Sequence, residues 1–189
     1  MPDSPLSLKD RPIDLLFFGS VNERRRAFIE RIEASGVPVT MFDRPVYGPE
    51  RDAFIVQAKA VLNCHFYETA RFEQVRVQHC LSLGTPVVSE RMAGTQVPIA
   101  FKGTVHWLDG DADAFFRGHF GTPAFEVDAR QRLDAWRRHD PANTYADFAA
   151  FAAGCFEGHG RSRPRSPWRR TPSSPRRITN RIPTCRMAR

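Results

Sequence analysis

Four polar residues follow two short apolar segments and could carry acid–base or ligand-binding chemistry. His65 and Glu68 come after an apolar run that ends at position 62. Ser89 and Glu90 come directly after the apolar pair Val87-Val88. A histidine at a strand end can act as a general base or bind phosphate, although a structural role is equally compatible with a single histidine. The carboxylates of Glu68 and Glu90 could accept hydrogen bonds from sugar or ribose hydroxyls.

The pair Gly19-Ser20 follows the first apolar run, IDLLFF, at the position where nucleotide-binding folds place a phosphate loop. Glycine lets the backbone approach a ligand closely, and the helix that Asn22 would cap offers free N–H groups to an anion. Arg24, Arg25 and Arg26 could neutralise a diphosphate, whereas a solvated helix face would explain at least two of these arginines. The stretch GSVNERRR matches neither GxGxxG nor GxxxxGK[ST], which argues against dinucleotide and NTPase sites.

Other catalytic motifs are absent from the sequence. There is no HExxH, CxxC or GxSxG, so neither a metal site nor a serine-hydrolase site is predicted. The four cysteines have no metal-type spacing and are interpreted as reduced thiols, which favours a cytoplasmic location. The predicted site does not include His79, His106, His119 or His139.

The elements that must position these residues alternate between apolar strands and amphipathic helices. This alternation predicts an α/β fold, a doubly wound and mainly parallel sheet of about five strands with flanking helices. Because the carboxyl ends of parallel strands meet at one edge of the sheet, the polar residues at the strand ends should be neighbours. Strands are predicted at 13–18, 37–42, 60–65, 87–90 and 104–108, and helices at 23–35, 50–59, 71–83, 112–118, 125–138 and 145–156.

Charge divides the chain into a body and a tail. Residues 161–189 hold ten of the 28 basic residues and no acidic one, so the body carries 18 basic against 21 acidic side chains. We expect a flexible leader at 1–11, a domain at 12–158 and a disordered Arg/Pro/Ser-rich tail at 159–189. The tail could be an RNA- or acidic-surface-binding arm, a solvated tail without a dedicated role, or a sequence scar. No apolar run is long enough to span a membrane.

Three segments together resemble the carboxyl-terminal Rossmann-type half of GT-B glycosyltransferases. They are LNCHFYETARFEQVRVQHCLSLGTPVVSE, IDLLFFGSVNERRRAFIERI and VYGPERDAFIVQAKAVLN. The likeness is closest to group 1 and spore-maturation-type glycosyltransferase-like domains and runs from about Pro12 to Phe156. It implies a nucleotide-sugar donor as substrate, no separate cofactor, and a diphosphate near Gly19-Ser20. The base and ribose would lie near strands three and four.

The resemblance also implies roles for residues of the helix after His65. Glu73 falls where the family's donor-binding acid lies, and Arg76 would help to neutralise the diphosphate; a local ion pair between these two residues is the alternative interpretation. His79 stands where the commoner group 1 enzymes have a second glutamate. The predicted catalytic residues are His65 and Glu68, and the predicted donor-binding residues are Gly19, Ser20, Asn22, Arg24, Tyr67, Glu73, Arg76, Ser89 and Glu90.

Two functions of other classes remain open. About 11 residues precede the first strand, too few for an acceptor-binding domain, so we expect a partner protein to supply the acceptor half if the domain is catalytic. The alternative is a non-catalytic, truncated α/β module that binds a nucleotide or a protein. A nucleic-acid-binding role could rest only on the basic tail, because the body is mildly acidic.

Overall fold

A computed structural model describes residues 6–68 and 72–139 of the chain. Five parallel strands form one sheet in the order β2-β1-β3-β4-β5. The strands are β1 (Ile13–Leu16), β2 (Val39–Thr40), β3 (Ala58–Asn63), β4 (Val87–Glu90) and β5 (His106–Leu108). The helices are α1 (Glu23–Ala34), α2 (Gly48–Ile55), α3 (Gln74–Ser82), α4 (Ile99–Lys102), α5 (Ala112–Gly118) and α6 (Pro123–Arg138).

The predicted fold class is confirmed. Helices cover both faces of the sheet and pack against it through their apolar sides. On one face, α1, α5 and the start of α6 pack through Ile29, Phe116 and Phe125. On the other face, α2, α3 and α4 pack through residues such as Ile55 and Val77. Strand β2 is added on one side of β1, and β3, β4 and β5 are added on the other side, so the strand order reverses between β1 and β3. The carboxyl ends of β1 and β3 therefore form a crevice of the kind in which α/β sheets bind ligands.

Several predicted boundaries are wrong by a few residues. The predicted second helix extends to position 59, but Ala58 and Lys59 belong to β3. Helix α3 begins at Gln74 rather than at position 71, and Val75 in its first turn is 85% exposed. The buried residues Val77, Cys80 and Leu81 follow the spacing of one helical face.

The predicted leader is partly a structural element. A 3-10 helix, Leu8–Asp10, buries Leu8 against the domain. Arg11 is also buried and donates hydrogen bonds to the backbone carbonyls of Ala58 and Gly84 at 2.8 and 3.1 Å. Residues 8–11 of the predicted leader therefore pack against the domain, through one apolar side chain and the hydrogen bonds of Arg11.

The ends of the chain lie mostly outside the described residues. This applies to the first five residues, to the predicted helix at 145–156 and to the basic tail at 159–189. Within residues 6–68 and 72–139, no helix has the length and hydrophobicity needed to cross a membrane.

Candidate functional site

Many of the predicted site residues meet at the carboxyl ends of β1, β3 and β4, which we call the carboxyl edge. Asn22, the residue before α1, donates from Nδ2 to the Phe66 carbonyl at 2.6 Å. Its Oδ1 accepts from the Arg25 backbone N–H at 2.9 Å, so the same side chain caps α1 and fixes the loop after β3. The polar residues predicted from the strand ends are thus held by contacts between elements that are distant in sequence.

Arg24 and Glu90 form a bidentate ion pair that joins α1 to the end of β4. Arg24 Nη1 lies 3.0 Å from Glu90 Oε2, and Nη2 contacts Oε1. The same Nη1 donates to the His65 carbonyl at 2.8 Å, and the His65 N–H donates to Glu90 Oε2 at 3.0 Å. The pair therefore also positions the segment after β3. Two-point arginine–carboxylate contacts of this kind are the strong ones.

The environment of Glu90 lowers its pKa. Burial alone would raise the pKa, but hydrogen bonds from the Arg24 guanidinium and the His65 N–H outweigh burial, and the net shift is below the ordinary value of 4.5. Because the folded pKa lies below the unfolded one, the ionised pair stabilises the fold above pH 4.5 and this stabilisation is lost as the pH falls through the folded pKa.

We expect Glu90→Gln to make the free energy of unfolding depend less on pH below 4.5. The wild type should lose unfolding free energy as the pH falls below 4.5, and the variant should lose less because this carboxylate no longer takes up a proton. Urea denaturation at several pH values measures the effect. Arg24→Gln should weaken this pH dependence in the same way, since it removes the partner. An unchanged pH dependence in both variants would contradict the assignment.

Arg25 lies in the interior and connects the loop after β1 to the end of β3. It is 2% exposed. Its Nη1 donates to the Ser20 carbonyl at 2.8 Å, and its Nε and Nη2 donate to the Cys64 carbonyl at 3.1 and 2.8 Å. Nη2 also contacts the carboxylate of Glu73. The expectation that Arg25 faces a diphosphate is not met in this conformation, because its donors are used within the protein.

Glu73 and Arg76 form the local ion pair that their spacing allowed. Arg76 Nη2 lies 2.8 Å from Glu73 Oε2, and the other carboxylate oxygen contacts Arg25. Glu73 therefore bridges two guanidinium groups. The Arg76 guanidinium also stacks 5.8 and 5.3 Å from the ring centres of Phe17 and Phe18. Stacking on two rings holds it beside the loop that follows β1.

Gly19 provides the close approach that its position suggested. Its φ is 129°, a conformation that side-chain-bearing residues rarely adopt. A Cβ atom at this position would lie 2.8 Å from Arg76 Nη2 and 3.6 Å from Arg25 Nη1. Glycine is therefore required for two reasons, and the Gly19-Ser20 turn faces the guanidinium groups directly. We call Arg24, Arg25 and Arg76 the arginine cluster.

Other predicted residues do not present their side chains to a ligand here. Ser89 is fully buried, and its Oγ accepts from Asn63 Nδ2 at 3.0 Å and donates to the Glu90 carbonyl at 3.0 Å. His65 is 1% exposed, so its ring does not reach solvent. Neither side chain reaches solvent in this conformation, and their contact with a ligand stays a prediction. The strand ends that carry them are too deep in the sheet.

Tyr67 and Glu68, in contrast, are exposed to solvent. Tyr67 is 69% exposed and packs edge-on against Phe66, with ring centres 4.8 Å apart. Glu68 is exposed and immediately precedes residues 69–71, which the structure does not describe. The two predicted catalytic residues, His65 and Glu68, therefore differ fully in burial and form no acid–base pair.

Two cavities flank Phe18 at the carboxyl edge. The first has a volume of about 340 Å³ and lies between the loops after β1 and β2, where Gly19, Asp43 and Tyr47 contribute to its wall. The second is more open, with a volume of about 810 Å³, and is lined by Phe18, Arg51, Phe72, Glu73, Gln74, Val75, Arg76 and His79. Both volumes suit a small organic ligand.

The second cavity contains a histidine–carboxylate pair that the sequence analysis missed. His79 Nε2 lies 2.7 Å from Asp52 Oδ1, and Arg51 Nη2 is 3.1 Å from the same ring nitrogen. The residues come from α2 and α3, and no local motif links them. The burial of Arg25, in contrast, is indicated by the sequence. Arg25 precedes Ile29 and Ile32 at helical spacing, which places its side chain on the inward face of α1.

Comparisons with known proteins identify distant viral relatives. No protein-family model matches the chain. Three uncharacterized proteins of Acanthamoeba polyphaga mimivirus are similar over 78 residues, or 41% of the chain: L138 at 32% identity, L140 at 30% and L137 at 30%. The matched segment spans 9%, 26% and 11% of these proteins, respectively. Their names state no activity, so the geometry of the site carries the functional argument.

Proposed function

We propose that this domain binds a nucleotide-diphosphate sugar at the carboxyl edge and acts as the donor-binding part of a glycosyltransferase. The observation that carries the proposal is the arginine cluster at the carboxyl edge: the guanidinium groups of Arg25 and Arg76 lie beside the Gly19-Ser20 turn, and Arg24 pairs with Glu90 at the end of β4. Two cavities adjoin this edge. Arginine is the residue best suited to a diphosphate because its planar fork pairs with two oxygens at once.

The roles within the cluster follow from burial and existing contacts. Arg76 Nη2 pairs with Glu73 and also faces Gly19, while Nη1 lies 3.5 Å from Asn63 Oδ1. Arg76 is therefore the arginine of the cluster best placed to contact a diphosphate at the Gly19-Ser20 turn. Arg25 supports Arg76 from behind through the shared Glu73 carboxylate. Arg24 holds Glu90 at the edge. The three arginines outnumber Glu73 and Glu90, the two glutamates that pair with them. The cluster therefore has a net positive charge, which favours the binding of an anion.

The second cavity could hold the sugar and ribose. Glu73 lines it, and carboxylate oxygens accept hydrogen bonds from hydroxyl groups. During transfer, negative charge develops on the leaving diphosphate, and fixed guanidinium groups would stabilise that charge without a metal ion. The acceptor would come from a further protein or domain, and this part of the proposal rests on the resemblance to GT-B enzymes.

Donor binding is tested by calorimetric titration of the full chain with UDP-, GDP-, ADP- and TDP-sugars. One nucleotide class should bind, and Arg76→Gln should weaken that binding at least ~10-fold, since it removes a charge-assisted contact worth about 1.5–3 kcal/mol. The matched control is Arg31→Gln, which removes an exposed arginine of α1 paired with Asp113. Wild-type protein that melts cooperatively but binds none of these donors would overturn the proposal.

A non-catalytic binding module is the second candidate, and the position of His65 favours it. The ring of His65 is enclosed, and both Glu73 and Glu90 are paired with arginines. No candidate base therefore points to solvent from these three positions. Sugar release measured with a bound donor separates the two candidates: slow hydrolysis that depends on Arg76 supports an enzyme, whereas saturable binding with no release supports a module.

A further inference from the structure

A second group of polar side chains lies away from the carboxyl-edge cavities. His106 belongs to β5, His119 follows α5 as its C-cap, and Asp128 lies in the second turn of α6. One ligand atom from each of the three side chains lies within 4.8 Å of the others. None of the three residues lines either cavity beside Phe18.

The histidine of β5 shows an independent sign of an absent partner. His106 is 3% exposed, its Nδ1 lies 3.3 Å from Asp128 Oδ2, and its Nε2 has no hydrogen-bond partner. Buried polar atoms are nearly always satisfied, so an unpaired imidazole nitrogen in the interior needs an explanation. A neutral imidazole nitrogen is also the commonest protein ligand for transition metals.

We propose that His106, His119 and Asp128 form a binding site for Zn²⁺ or a divalent cation of similar softness. Two imidazoles and one carboxylate favour zinc over Mg²⁺ or Ca²⁺, which prefer all-oxygen coordination. Atoms bound to one zinc ion lie about 3–4 Å apart, so the three side chains must move slightly closer on binding. His119 has the room to do so because it is only half-buried and ends a helix.

Arg132 is the positive group that faces this site. Its Nε donates to Asp128 Oδ2 at 3.0 Å and its Nη1 donates to the Val105 carbonyl at 2.9 Å. A carboxylate accepts about four contacts, so Asp128 can bind a cation while Arg132 orients it, as outer hydrogen bonds do in metal sites. The rings of Phe115 and Phe125 pack against His106 and His119 and limit the access of water.

Calorimetric titration of chelator-treated full-length protein with ZnCl₂ tests the site. The wild type should bind one zinc ion, while MgCl₂ should give no signal. His119→Ala and Asp128→Asn should each weaken zinc binding at least ~10-fold. The matched control is His79→Ala, because His79 is also half-buried and contacts a carboxylate but belongs to no three-ligand group among the described residues. It should keep the wild-type affinity.

Two outcomes would overturn the inference. Zinc affinity that is equal in the wild type and in His119→Ala would show that the cluster is not the binding site. Zinc binding lost in His79→Ala but kept in Asp128→Asn would place the ion in the other histidine–carboxylate pair. Co²⁺ in place of Zn²⁺ gives a second measurement that does not depend on the heat of binding, namely the visible absorption of a low-coordinate nitrogen–oxygen site. This absorption should appear in the wild type and in His79→Ala and should be lost in His119→Ala.

Discussion

Replacing Arg25 with methionine should lower the free energy of unfolding by about 3–5 kcal/mol, the usual cost of removing one partner from a buried ion pair. The side chain donates to the carbonyls of Ser20 and Cys64 and contacts Glu73. Methionine fills much of the same volume but supplies no donor, so the buried Cys64 carbonyl and the partly buried Ser20 carbonyl would lose this donor, and Glu73 would keep only its ion pair with Arg76.

Urea denaturation monitored by circular dichroism measures this loss. The control is Arg26→Met, since Arg26 is the next residue of α1 and is exposed; its replacement should change stability by no more than about 0.5 kcal/mol. Arg25→Lys should recover only a minor part of the loss, because a single ammonium group cannot reach both carbonyls in the fork geometry of a guanidinium. Equal stability of Arg25→Met and Arg26→Met would refute the structural role.

The same residue shows how far sequence patterns reach. Hydrophobic periodicity and glycine positions predict the alternation of strands and helices, and hence the sheet and its carboxyl edge. In the structure, Arg24, Glu73 and Glu90 lie at that edge and are held by ion pairs. The spacing from Ile29 and Ile32 places Arg25 on the inward face of α1. The pattern does not show what binds its guanidinium there, because the carbonyls of Ser20 and Cys64 become neighbours only when β1 and β3 pair.

Ser89 and His65 show what the position of a residue at a strand end leaves undetermined. Both end predicted strands, and the general rule for α/β sheets places ligands beyond such ends. How deep each side chain lies depends on the length of the loops above it, and a sequence pattern does not measure that depth. Asn63 and Glu90 bind Ser89, and Arg24 covers the backbone of His65, so both positions serve the framework of the edge.

Gly19→Ala should weaken donor binding at least ~10-fold while costing only moderate stability. The added methyl group meets Arg76 Nη2 at 2.8 Å, and because this is the end of a flexible side chain, the guanidinium can move aside. The remaining cost is mainly that of holding an alanine at a φ of 129°, about 1–3 kcal/mol for a side-chain-bearing residue in so sparsely populated a conformation. We expect donor affinity to fall more than stability, because the displaced Arg76 guanidinium no longer lies where it would contact the diphosphate.

Gly36→Ala separates the two causes. Gly36 has a φ of 91°, but a Cβ atom there would meet nothing within 4 Å. This variant should lose a similar amount of stability and keep the wild-type affinity for the donor. A loss of about 1.4 kcal/mol of binding free energy in Gly19→Ala corresponds to a tenfold weaker affinity, which calorimetric titration resolves readily. If Gly19→Ala instead binds the donor as tightly as Gly36→Ala does, the position of Arg76 beside the turn has no part in recognition, and the diphosphate must lie elsewhere along the carboxyl edge.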